Sequence, residues 1–348
     1  MRYNVTIQET LARTVQVEAG TQREAELAVS RLYRDSEIVL SCDDYVVTRI
    51  TADRYLPYYK SPSNDFTLIQ GDCVDTLSKF RFGFDMVFAD PPYFLSGGGI
   101  SYQSGKVVCV DKGEWDKPTT TEEMDAFNLR WLSAVREHMK NDATIWVSGT
   151  HHNIFSVQQQ LLKLGFKILN VITWAKTNPP PNVSCRYFTY STEFIIWARK
   201  SPRVPHFFNY RLMKELNGDK QMTDVWRLPA IGVWEKTCGK HPTQKPLGVL
   251  ARLIQASTLP GAWVLDPFSG SGTTGIAANL LSRRYLGLEK EEAFLAMSRA
   301  RRMEIEDMAV RNGYMDRLVK AGMVMKQDGR GVEEENVWYG VPWVLDNC

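Results

Sequence analysis

Short strand-like segments alternate with helical segments from about residue 65 to residue 318, and this alternation most constrains the fold. FTLIQGD, DMVFAD and AWVLD are apolar strand patterns that end in Asp72, Asp90 and Asp266, and helical patterns such as TTGIAANLLSRR lie between strands. The alternation predicts a mostly parallel, doubly wound, Rossmann-like α/β sheet. In such a sheet, ligands bind beyond the carboxyl ends of the strands.

The rest of the chain predicts two further segments. Residues 1–56 combine four strand patterns (YNVTIQE, RTVQVEA, EIVLS and DYVVTRI) with a helical stripe in TQREAELAVSRLYRD, which indicates a small α+β unit. PYYKSPSND is typical of a linker. The tail, residues 322–348, has an acidic run followed by WYGVPW, and we expect it to dock on the main domain. Residues 1–56 form either a module that docks on a partner or a unit that has no functional role.

Composition excludes several classes of protein. No stretch approaches the roughly 20 apolar residues that span a bilayer, and MRYNVTIQET lacks the apolar region of a secretory signal. The six cysteines form no CxxC pair, which argues against a zinc ribbon and a disulfide framework and suits a reducing cytosol. We therefore expect a cytoplasmic protein without a membrane partner.

Charge is balanced overall but not locally. The chain has 42 Lys and Arg against 40 Asp and Glu, so its net charge of +2 does not indicate a nucleic-acid partner. Between residues 151 and 252, however, about fifteen basic residues face about five acidic ones. Such an excess can follow a phosphate backbone, or it can be a solvated basic surface.

A glycine-rich turn, PFSGSGTT, joins a predicted strand to a predicted helix after Asp266. Gly270 and Gly272 allow close approach of a ligand and positive φ angles, and the helix N-terminus offers free N–H groups to a carboxylate or phosphate. Glu289 ends the next strand, at a separation from which an acidic residue reaches ribose hydroxyls. The turn is neither Walker A nor GxGxxG. By itself it is also compatible with a purely structural turn.

A second turn, DPPY, follows the strand DMVFA. Its prolines fix φ and donate no N–H, so the turn is stiff and leaves carbonyls free. A carboxylate (Asp90), a carbonyl (Pro91) and a ring (Tyr93) can accept both hydrogens of an amine and stack on the flat ring that bears it. This arrangement would favour the pyramidal nitrogen that attacks a methyl sulfonium. Taken alone, the motif is also compatible with an ordinary turn.

Together, DPPY, HPTQKP and DPFSGSGTT resemble the amino-methyltransferases of bacterial DNA, over about residues 65–318. The order, with DPPY first, is similar to the β group of that family. The resemblance implies a seven-stranded, mostly parallel sheet in circularly permuted order, and S-adenosylmethionine as methyl donor. No metal is expected, because this transfer needs none and the adjacent His151 and His152 face differently.

The resemblance also implies site residues. The catalytic motif would be Asp90, Pro91, Pro92 and Tyr93. The residues that bind the methyl donor would be Asp72, Cys73, Asp90, His241, Thr243, Gln244, Lys245, Asp266, Pro267, Phe268, Ser269, Gly270, Gly272, Thr273 and Glu289. Within this set, residues 266–273 would hold the methionine end, Glu289 the ribose, and residues 241–245 would approach the carboxylate. Glu193 and Trp197 match a motif near the target base.

An aspartate at the first position of DPPY is typical of enzymes that methylate the N6 amine of adenine. Cytosine-N4 methylation is the alternative, whereas a cytosine-C5 enzyme is disfavoured because no Pro-Cys pair occurs. A non-catalytic nucleic-acid-binding protein that retains the fold is a further alternative. Such a protein should have lost Asp90 or the turn glycines, and both are present.

The expected partner is DNA, and the target adenine must be flipped out of a duplex or be single-stranded. Tyr93 would be the stacking platform. Two segments are candidates for contact with the DNA: the loop at about 96–117, and a target-recognition region at about 201–240. The candidate residues are Tyr102, Lys106, Lys112, Trp115, Arg203, Arg211, Lys214 and Arg227.

The biological setting stays open at this point. The loop after DPPY resembles that of methylases that accompany GATC restriction systems. A homodimer is compatible with the sequence. A restriction-linked enzyme and an orphan enzyme, bacterial or of phage type, fit equally well.

Overall fold

A computed structural model describes residues 4–11, 15–34, 37–41, 45–53, 57–79, 82–94, 99–103, 106–110, 120–179, 181–182, 185–239 and 242–325. The chain forms two compact units, Met1–Leu56 and Pro57–Cys348. Most of the predicted tail, residues 326–348, lies outside the described part.

The first unit contains β1 (Asn4–Leu11), α1 (Gln22–Arg34) and β2 (Tyr45–Asp53). The two strands pair antiparallel, and α1 begins where the Thr21 hydroxyl accepts a hydrogen bond from the Glu24 amide at 3.3 Å. Two of the four predicted strands are wrong, because residues 15–19 and 37–41 are not strands. Their alternating pattern is not matched by a partner strand, and a strand needs one to satisfy its backbone groups.

The second unit is a three-layer α/β domain. In chain order, its elements are β3 (Tyr59–Lys60), β4 (Phe66–Gln70), α2 (Cys73–Leu77), β5 (Phe84–Ala89), β6 (Gly99–Gln103), β7 (Lys106–Val110), α3 (Thr121–Glu137), β8 (Met139–Gly149), α4 (Ile154–Lys163), β9 (Lys167–Lys176), β10 (Thr192–Arg199), α5 (Tyr210–Glu215), β11 (Val225–Leu228), α6 (Leu247–Ser257), β12 (Trp263–Asp266), α7 (Thr273–Leu280), β13 (Arg284–Glu289), α8 (Glu292–Glu304) and α9 (Met308–Lys320).

Nine of these strands form one sheet in the order β11-β9-β10-β8-β5-β12-β13-β4-β3. Only β10 and β3 run against the others, so the predicted mostly parallel sheet is confirmed. The seven strands from β9 to β4 correspond to the expected seven-stranded sheet, and the short strands β11 and β3 extend its edges. In sequence, β4, β5 and β8 come first, and the later strands β12 and β13 lie between β5 and β4 in the sheet.

Side chains that alternate along the central strands build a core on each face of the sheet. On β5, Met86 and Phe88 pack with α6 to α9, whereas Val87 and Ala89 pack with α2, α3 and α4. This alternation follows from the two-residue period of a strand. Helices on both faces explain why the strands are apolar almost throughout.

Helix α3 begins with a capping box formed by Thr120 and Glu123. The Thr120 hydroxyl accepts a hydrogen bond from the Glu123 amide at 3.2 Å, and the Glu123 carboxylate accepts one from the Thr120 amide at 3.0 Å. Trp131 and Val135 bury the apolar face of α3. Across all helices of the described residues, none combines the length and apolarity needed to cross a bilayer.

Two helical glycines provide a matched test of packing. A Cβ at Gly275 on α7 would lie 2.4 Å from the Phe66 ring and 2.5 Å from the Tyr285 ring, whereas one at Gly313 on α9 would meet no atom within 4 Å. We expect Gly275→Ala to lower the free energy of unfolding by about 1–3 kcal/mol. Gly313→Ala should raise it by about 0.5–1 kcal/mol, because alanine favours the helix. Urea denaturation of both variants measures this, and equal stabilities would contradict tight packing at Gly275.

Candidate active site

Four acidic residues lie together at the carboxyl edge of the parallel strands, which we call the site edge. Asp72 and Asp90 follow β4 and β5, whereas Asp266 and Glu289 end β12 and β13. These strands are neighbours and run in one direction. Segments that are distant in sequence therefore meet at one acidic edge.

A cleft of about 860 Å³, partly open to solvent, lies at the site edge. Its predicted lining residues are Asp72, Cys73, Asp90, Pro92, Thr243, Pro267, Phe268, Gly270 and Glu289. The lining residues that were not predicted are Gly71, Phe127, Leu288, Lys290, Glu291 and Phe294. Three phenylalanine rings and four carboxylates, against one ammonium, suit a ligand that has a flat ring, hydroxyl groups and a positive charge.

A smaller recess of about 290 Å³ adjoins the cleft and shares Asp90, Thr243, Phe268 and Gly270 with it. Its other lining residues are Phe88, Gln244, Lys245, Asp266, Ser269, Ser271, Thr273 and Thr274. Asp90 therefore borders both spaces, so a group bound in either of them can reach its carboxylate.

The glycine-rich turn bends sharply between β12 and α7. Gly270 and Gly272 have φ angles of 49° and 73°, in the left-handed region that glycine adopts without a Cβ clash. Asp266 holds the turn, because its carboxylate accepts hydrogen bonds from the Phe268 amide at 3.0 Å and the Thr274 hydroxyl at 2.6 Å.

Arg301 on α8 supports the same turn. Its Nη1 donates to the Ser271 carbonyl and to the Thr273 hydroxyl, both at 2.8 Å, and the side chain is buried. One helical turn earlier, Ser298 leaves no room for a Cβ at Gly272, since its hydroxyl would lie 2.0 Å from that atom. Arg301 is not predictable from the sequence, because a basic residue within a helical pattern forms no motif.

Glu289 connects the turn to the next strand. Its Oε2 accepts a hydrogen bond from the Gly270 amide at 2.8 Å, and its Oε1 accepts from the Lys290 and Glu291 amides at 2.8 and 2.9 Å. Burial raises the pKa of the Glu289 carboxyl, and these amides oppose the shift. A carboxylate has about four acceptor positions, so Glu289 keeps capacity for a ligand hydroxyl.

Asp72 begins α2 and faces the same cleft. Its carboxylate accepts from the Val74 amide at 2.9 Å and lies 2.7 Å from the Lys290 ammonium. Burial raises the pKa of Asp72, but Lys290 and the helix amides lower it by more than burial raises it. The net shift of the pKa is therefore downward. Burial raises the pKa of the neighbouring Cys73 thiol to about 12, so Cys73 is a neutral wall residue.

The carboxylate of Asp90 lies in a buried network of charges. Its Oδ2 is 2.5 Å from the Lys245 ammonium, and its Oδ1 accepts a hydrogen bond from the Tyr93 hydroxyl at 2.5 Å. Lys245 also donates to Tyr93 at 3.0 Å and lies 3.8 Å from Glu193, which is paired with Lys176 at 2.5 Å. Charges of alternating sign thus run from the DPPY turn into β10 and β9.

The network sets the protonation of its members. Burial alone would lower the pKa of Lys245, but Asp90, Tyr93 and Glu193 raise it well above the usual value. Burial raises the pKa of Asp90, and Lys245 and the Tyr93 hydroxyl oppose the shift. Lys245 is therefore charged, and its charge favours the ionised form of the adjacent carboxylate, whose pKa burial nevertheless raises.

Residues 241–245 were predicted to approach the carboxylate of a methyl donor, and this stays a prediction. The ammonium of Lys245 is bound to Asp90, and the Gln244 side chain donates to the Glu235 carbonyl at 2.9 Å. Thr243 lines both spaces. His241 lies outside the described residues.

Tyr93 and Trp197 are less accessible than the sequence suggested. The Tyr93 side chain is only 6% exposed, so its ring is not an open stacking surface while its hydroxyl is bound to Asp90. Trp197 is stacked on Trp146, with ring centroids 4.5 Å apart, in the core.

Asn153 holds the DPPY turn from outside the motif. It follows the end of β8, and its Nδ2 donates to the Pro92 carbonyl at 2.9 Å. Its Oδ1 accepts from Asn128 on α3 at 2.7 Å, and Asn128 accepts from the Trp131 indole at 3.0 Å. The position of Asn153 shortly after a predicted strand is the one feature of the sequence that could have identified it as a site residue.

The predicted loop after DPPY contains an antiparallel hairpin, in which Gly99 pairs with Val110 and Gln103 with Lys106. Tyr102 lies on β6 and Lys106 on β7; Lys112 and Trp115 lie outside the described residues. Part of the segment predicted as a loop thus forms two strands, and the valine-rich sequence KVVCV favours the second of them.

Residues 201–240 do not lie on one side of the domain. Arg203 follows the carboxyl end of β10, which is antiparallel, so Arg203 lies at the edge opposite the site edge. Arg211 and Lys214 are exposed on α5, where Arg211 pairs with Glu215 at 2.9 Å. Arg227 is exposed on β11, opposite Ala175 near the end of β9, and thus lies close to the site edge.

No group of three His, Cys, Asp or Glu side chains within the described residues could hold a metal ion. His151 and His152 contact each other, with ring centroids 3.8 Å apart, and His151 stacks on Tyr190 at 4.8 Å.

Sequence comparison identifies relatives along most of the chain. A family model described as DNA methylase (N6_N4_Mtase) matches residues 84–300, and one described as DpnD/PcfM-like protein matches residues 3–47. The Type II methyltransferase M2.MboI of Moraxella bovis is 54% identical over 77% of this chain and 98% of its own length. M2.DpnII of Streptococcus pneumoniae is 53% identical over 72% and 93%.

Solved structures agree with the fold. A crystal structure of the M1.HpyAVI-SAM complex has a TM-score of 0.53 and 25% identity, over 68% of this chain and 98% of that one. The PvuII DNA methyltransferase, which is cytosine-N4-specific, has a TM-score of 0.55 over 77% and 95%; at 19% identity it supports the fold alone. The sheet is the Rossmann-like fold of methyltransferases.

Asp266 generates a prediction about pH. Burial raises the pKa of its carboxyl to about 7, although the hydrogen bonds from Thr274 and Phe268 lower it. An unfolded aspartate has a pKa of about 3.9. Between about pH 4 and 7 only the folded protein keeps this proton, so the free energy of unfolding falls as pH rises. Asp266→Asn removes the titrating group. Its stability relative to wild type should therefore rise by up to about 1.4 kcal/mol per pH unit over that window.

Urea denaturation at pH 5, 6, 7 and 8 without a methyl donor measures this difference. Above pH 7 the difference should become constant, because both states have then released the proton. A difference that is constant from pH 5 to pH 8 would contradict the buried, protonated Asp266.

The family follows from the extent of these matches. The DNA methylase model covers well over half of the chain, and relatives above 50% identity match along nearly their full length. The DPPY turn and the glycine-rich turn that sequence analysis singled out both lie within the matched region and meet at the site edge. The chain belongs to the DNA methylase family and is a DNA methyltransferase.

Proposed function

We propose that the protein transfers a methyl group from S-adenosylmethionine to the N6 amine of adenine at specific DNA sites. The position of Asp90 carries this proposal. Its buried carboxylate borders the large cleft and the smaller recess, beside the glycine-rich turn and next to Lys245. A donor in the cleft and an amine at the DPPY turn would therefore meet at Asp90.

The cleft fits S-adenosylmethionine by its chemistry. This donor supplies an electrophilic methyl group on a positively charged sulfonium, and four carboxylates against one ammonium line the cleft. Glu289, with free acceptor capacity, would accept the ribose hydroxyls. Phe127, Phe268 and Phe294 would contact the adenine ring of the donor, and Gly270 and Gly272 let the backbone approach it closely.

Asp90 would act on the target amine. An exocyclic amine is a poor nucleophile because its lone pair is delocalised into the ring. Asp90 and a carbonyl of the DPPY turn would accept its two hydrogens and so favour a pyramidal nitrogen, which is preorganised electrostatic catalysis. Lys245 would keep Asp90 ionised for this purpose, and Asn153 would hold the turn through the Pro92 carbonyl.

The target base must reach a buried carboxylate. The N6 amine of a paired adenine is inaccessible within a duplex, so we propose that the adenine is flipped out or taken from a single strand. The aspartate of DPPY favours adenine over cytosine as the base. We further propose that residues 201–240 contribute to sequence recognition, with Arg227 close to the site edge, and that the enzyme works in the cytoplasm.

The two units would divide the work. Residues 65–318 would carry the transfer, and residues 1–56, which resemble DpnD/PcfM-like proteins over residues 3–47, would serve as an accessory docking module. Residues 322–348 would dock on the main domain.

The transferase assay tests the function directly. Incubation with labelled S-adenosylmethionine and unmethylated DNA should yield N6-methyl-2′-deoxyadenosine after digestion to nucleosides. Asp90→Ala should lower the rate at least about a hundredfold, because it removes a preorganised acceptor, while the affinity for S-adenosylmethionine stays within about tenfold. Asp142→Ala, at an exposed position near the start of β8, is the matched control and should keep full activity.

The outcomes separate the parts of the proposal. Near-normal turnover of Asp90→Ala refutes its role. N4-methylcytosine as product refutes the adenine target, and no transfer by wild type to any DNA refutes the function. Modified-base sequencing of DNA from expressing cells identifies the recognition site.

Tyr93 provides a second test, because its ring and hydroxyl have separate roles. Tyr93→Phe removes the hydroxyl that occupies Asp90 Oδ1 and keeps the ring, so we expect most of the activity to remain. Tyr93→Trp should keep partial activity. Tyr93→Ala should lower kcat/KM about 5- to 100-fold, since a stacked base is worth about 1–3 kcal/mol. If the alanine and tryptophan variants are equally active, stacking on Tyr93 is refuted.

A further inference from the structure

Three aromatic side chains stand in solvent on the connection between β9 and β10. Phe188 is 97% exposed, and Tyr187 and Tyr190 are each 57% exposed. Tyr187 lies against Tyr190, with centroids 5.4 Å apart, and Tyr190 stacks on the exposed ring of His151. Single exposed apolar residues are common, but a cluster of exposed rings marks a binding surface. These four residues are called the aromatic surface.

The aromatic surface lies at the site edge. β9 ends at Lys176 and β10 begins at Thr192, and the β8–β10 pairing places Phe194 opposite Gly149. The connection between β9 and β10 therefore crosses the edge at which β8 and β5 end. Asp90 follows β5 at that edge.

Two contacts join this surface to the DPPY turn. Asn153, two residues after His151, donates to the Pro92 carbonyl at 2.9 Å. Glu193, three residues after Tyr190, lies 3.8 Å from the Lys245 ammonium that binds Asp90. The exposed rings are thus neighbours of the site and not part of its buried lining.

The charge of these segments suits a polyanion. Residues 150–153 and 176–191 contain Arg186, two histidines and Lys176, whose ammonium pairs with Glu193, but no aspartate or glutamate of their own. A phosphate backbone that passes over them therefore meets fewer carboxylates than it would at the acidic cleft.

We propose that the aromatic surface stacks on DNA bases next to the target adenine. The inference rests on the proposed function. When the adenine leaves its stack, the neighbouring bases expose their faces, and aromatic side chains can stack on such bases or insert beside them. Phe188, the most exposed ring, is the principal contact, and Tyr187 and Tyr190 extend the surface towards His151.

The binding assay uses DNA that contains the site found by modified-base sequencing, in duplex and single-stranded form. Phe188→Ala should weaken DNA binding about 5- to 100-fold, the effect of losing one stacked base, and Phe188→Trp should restore most of the affinity. Binding of S-adenosylmethionine should not change, nor should the melting temperature, because an exposed side chain is not needed for folding.

Phe82→Ala is the matched control. Phe82 is also a partly exposed phenylalanine, but it precedes β5 at the opposite edge of the sheet. This variant should bind DNA as wild type does. Equal DNA affinity of Phe188→Ala and Phe82→Ala overturns the inference.

DNA with one abasic position identifies the stacked base. Abasic sites placed singly on either side of the target should weaken wild-type binding at one position, and Phe188→Ala should add no further loss at that position. If the loss of affinity caused by Phe188→Ala and the loss caused by the abasic site multiply at every position, Phe188 does not stack on a base next to the target, and the inference fails. Methyl transfer by the wild-type protein in the same preparations tests the proposed function separately. If the wild-type protein transfers no methyl group, the proposed function fails, whatever the DNA affinities are.

Discussion

The buried ion pair between Lys245 and Asp90 is the interaction on which the site depends. The two residues are 155 positions apart, and the pair joins the turn after β5 to the segment before α6. Removing two charges from water costs several kcal/mol, and that cost is offset only when the pair is close and further hydrogen bonds are made. Tyr93 and Glu193 supply these partners. Loss of one charge would leave the other buried, which typically costs about 3–5 kcal/mol.

The same pair links stability to chemistry. A carboxylate that is buried without a cation would take up a proton and lose its capacity to accept hydrogen bonds from an amine. Lys245 opposes this at Asp90. At Asp266 hydrogen bonds from Thr274 and Phe268 oppose the effect of burial, and the pKa is raised to about 7. Two aspartates at the ends of neighbouring strands thus have different partners: an ammonium at Asp90, and a hydroxyl and a backbone amide at Asp266.

Backbone constraints position the rest of the site. Gly270 and Gly272 adopt left-handed angles, and Ser298 excludes any side chain at Gly272. Glu289 and Arg301 then hold the turn from two sides through its amide, carbonyl and hydroxyl groups. The donor cleft is therefore built into the sheet and its turns. The surfaces that would touch DNA lie on connections between strands, where side chains are exposed.

Local features were predictable from the sequence by itself. The alternation of strands and helices, the capping box at Thr120, and the acidic residues at strand ends depend on neighbours within a few positions, so their patterns are visible in the chain. In the small first unit the same reasoning predicted two strands too many, because a strand pattern does not show whether a partner strand exists.

Tertiary structure decided the contacts between distant segments. The insertion of β12 and β13 between β5 and β4 brings the glycine-rich turn to Asp90, and packing of the segment before α6 places Lys245 on Asp90. Asn153 and Arg301 become supports of the site for the same reason, and Phe188 is left in solvent. Strand register and packing set these contacts, and they depend on the whole chain at once. The sequence by itself therefore determined the motifs and the class of fold, whereas only the folded chain determined their partners.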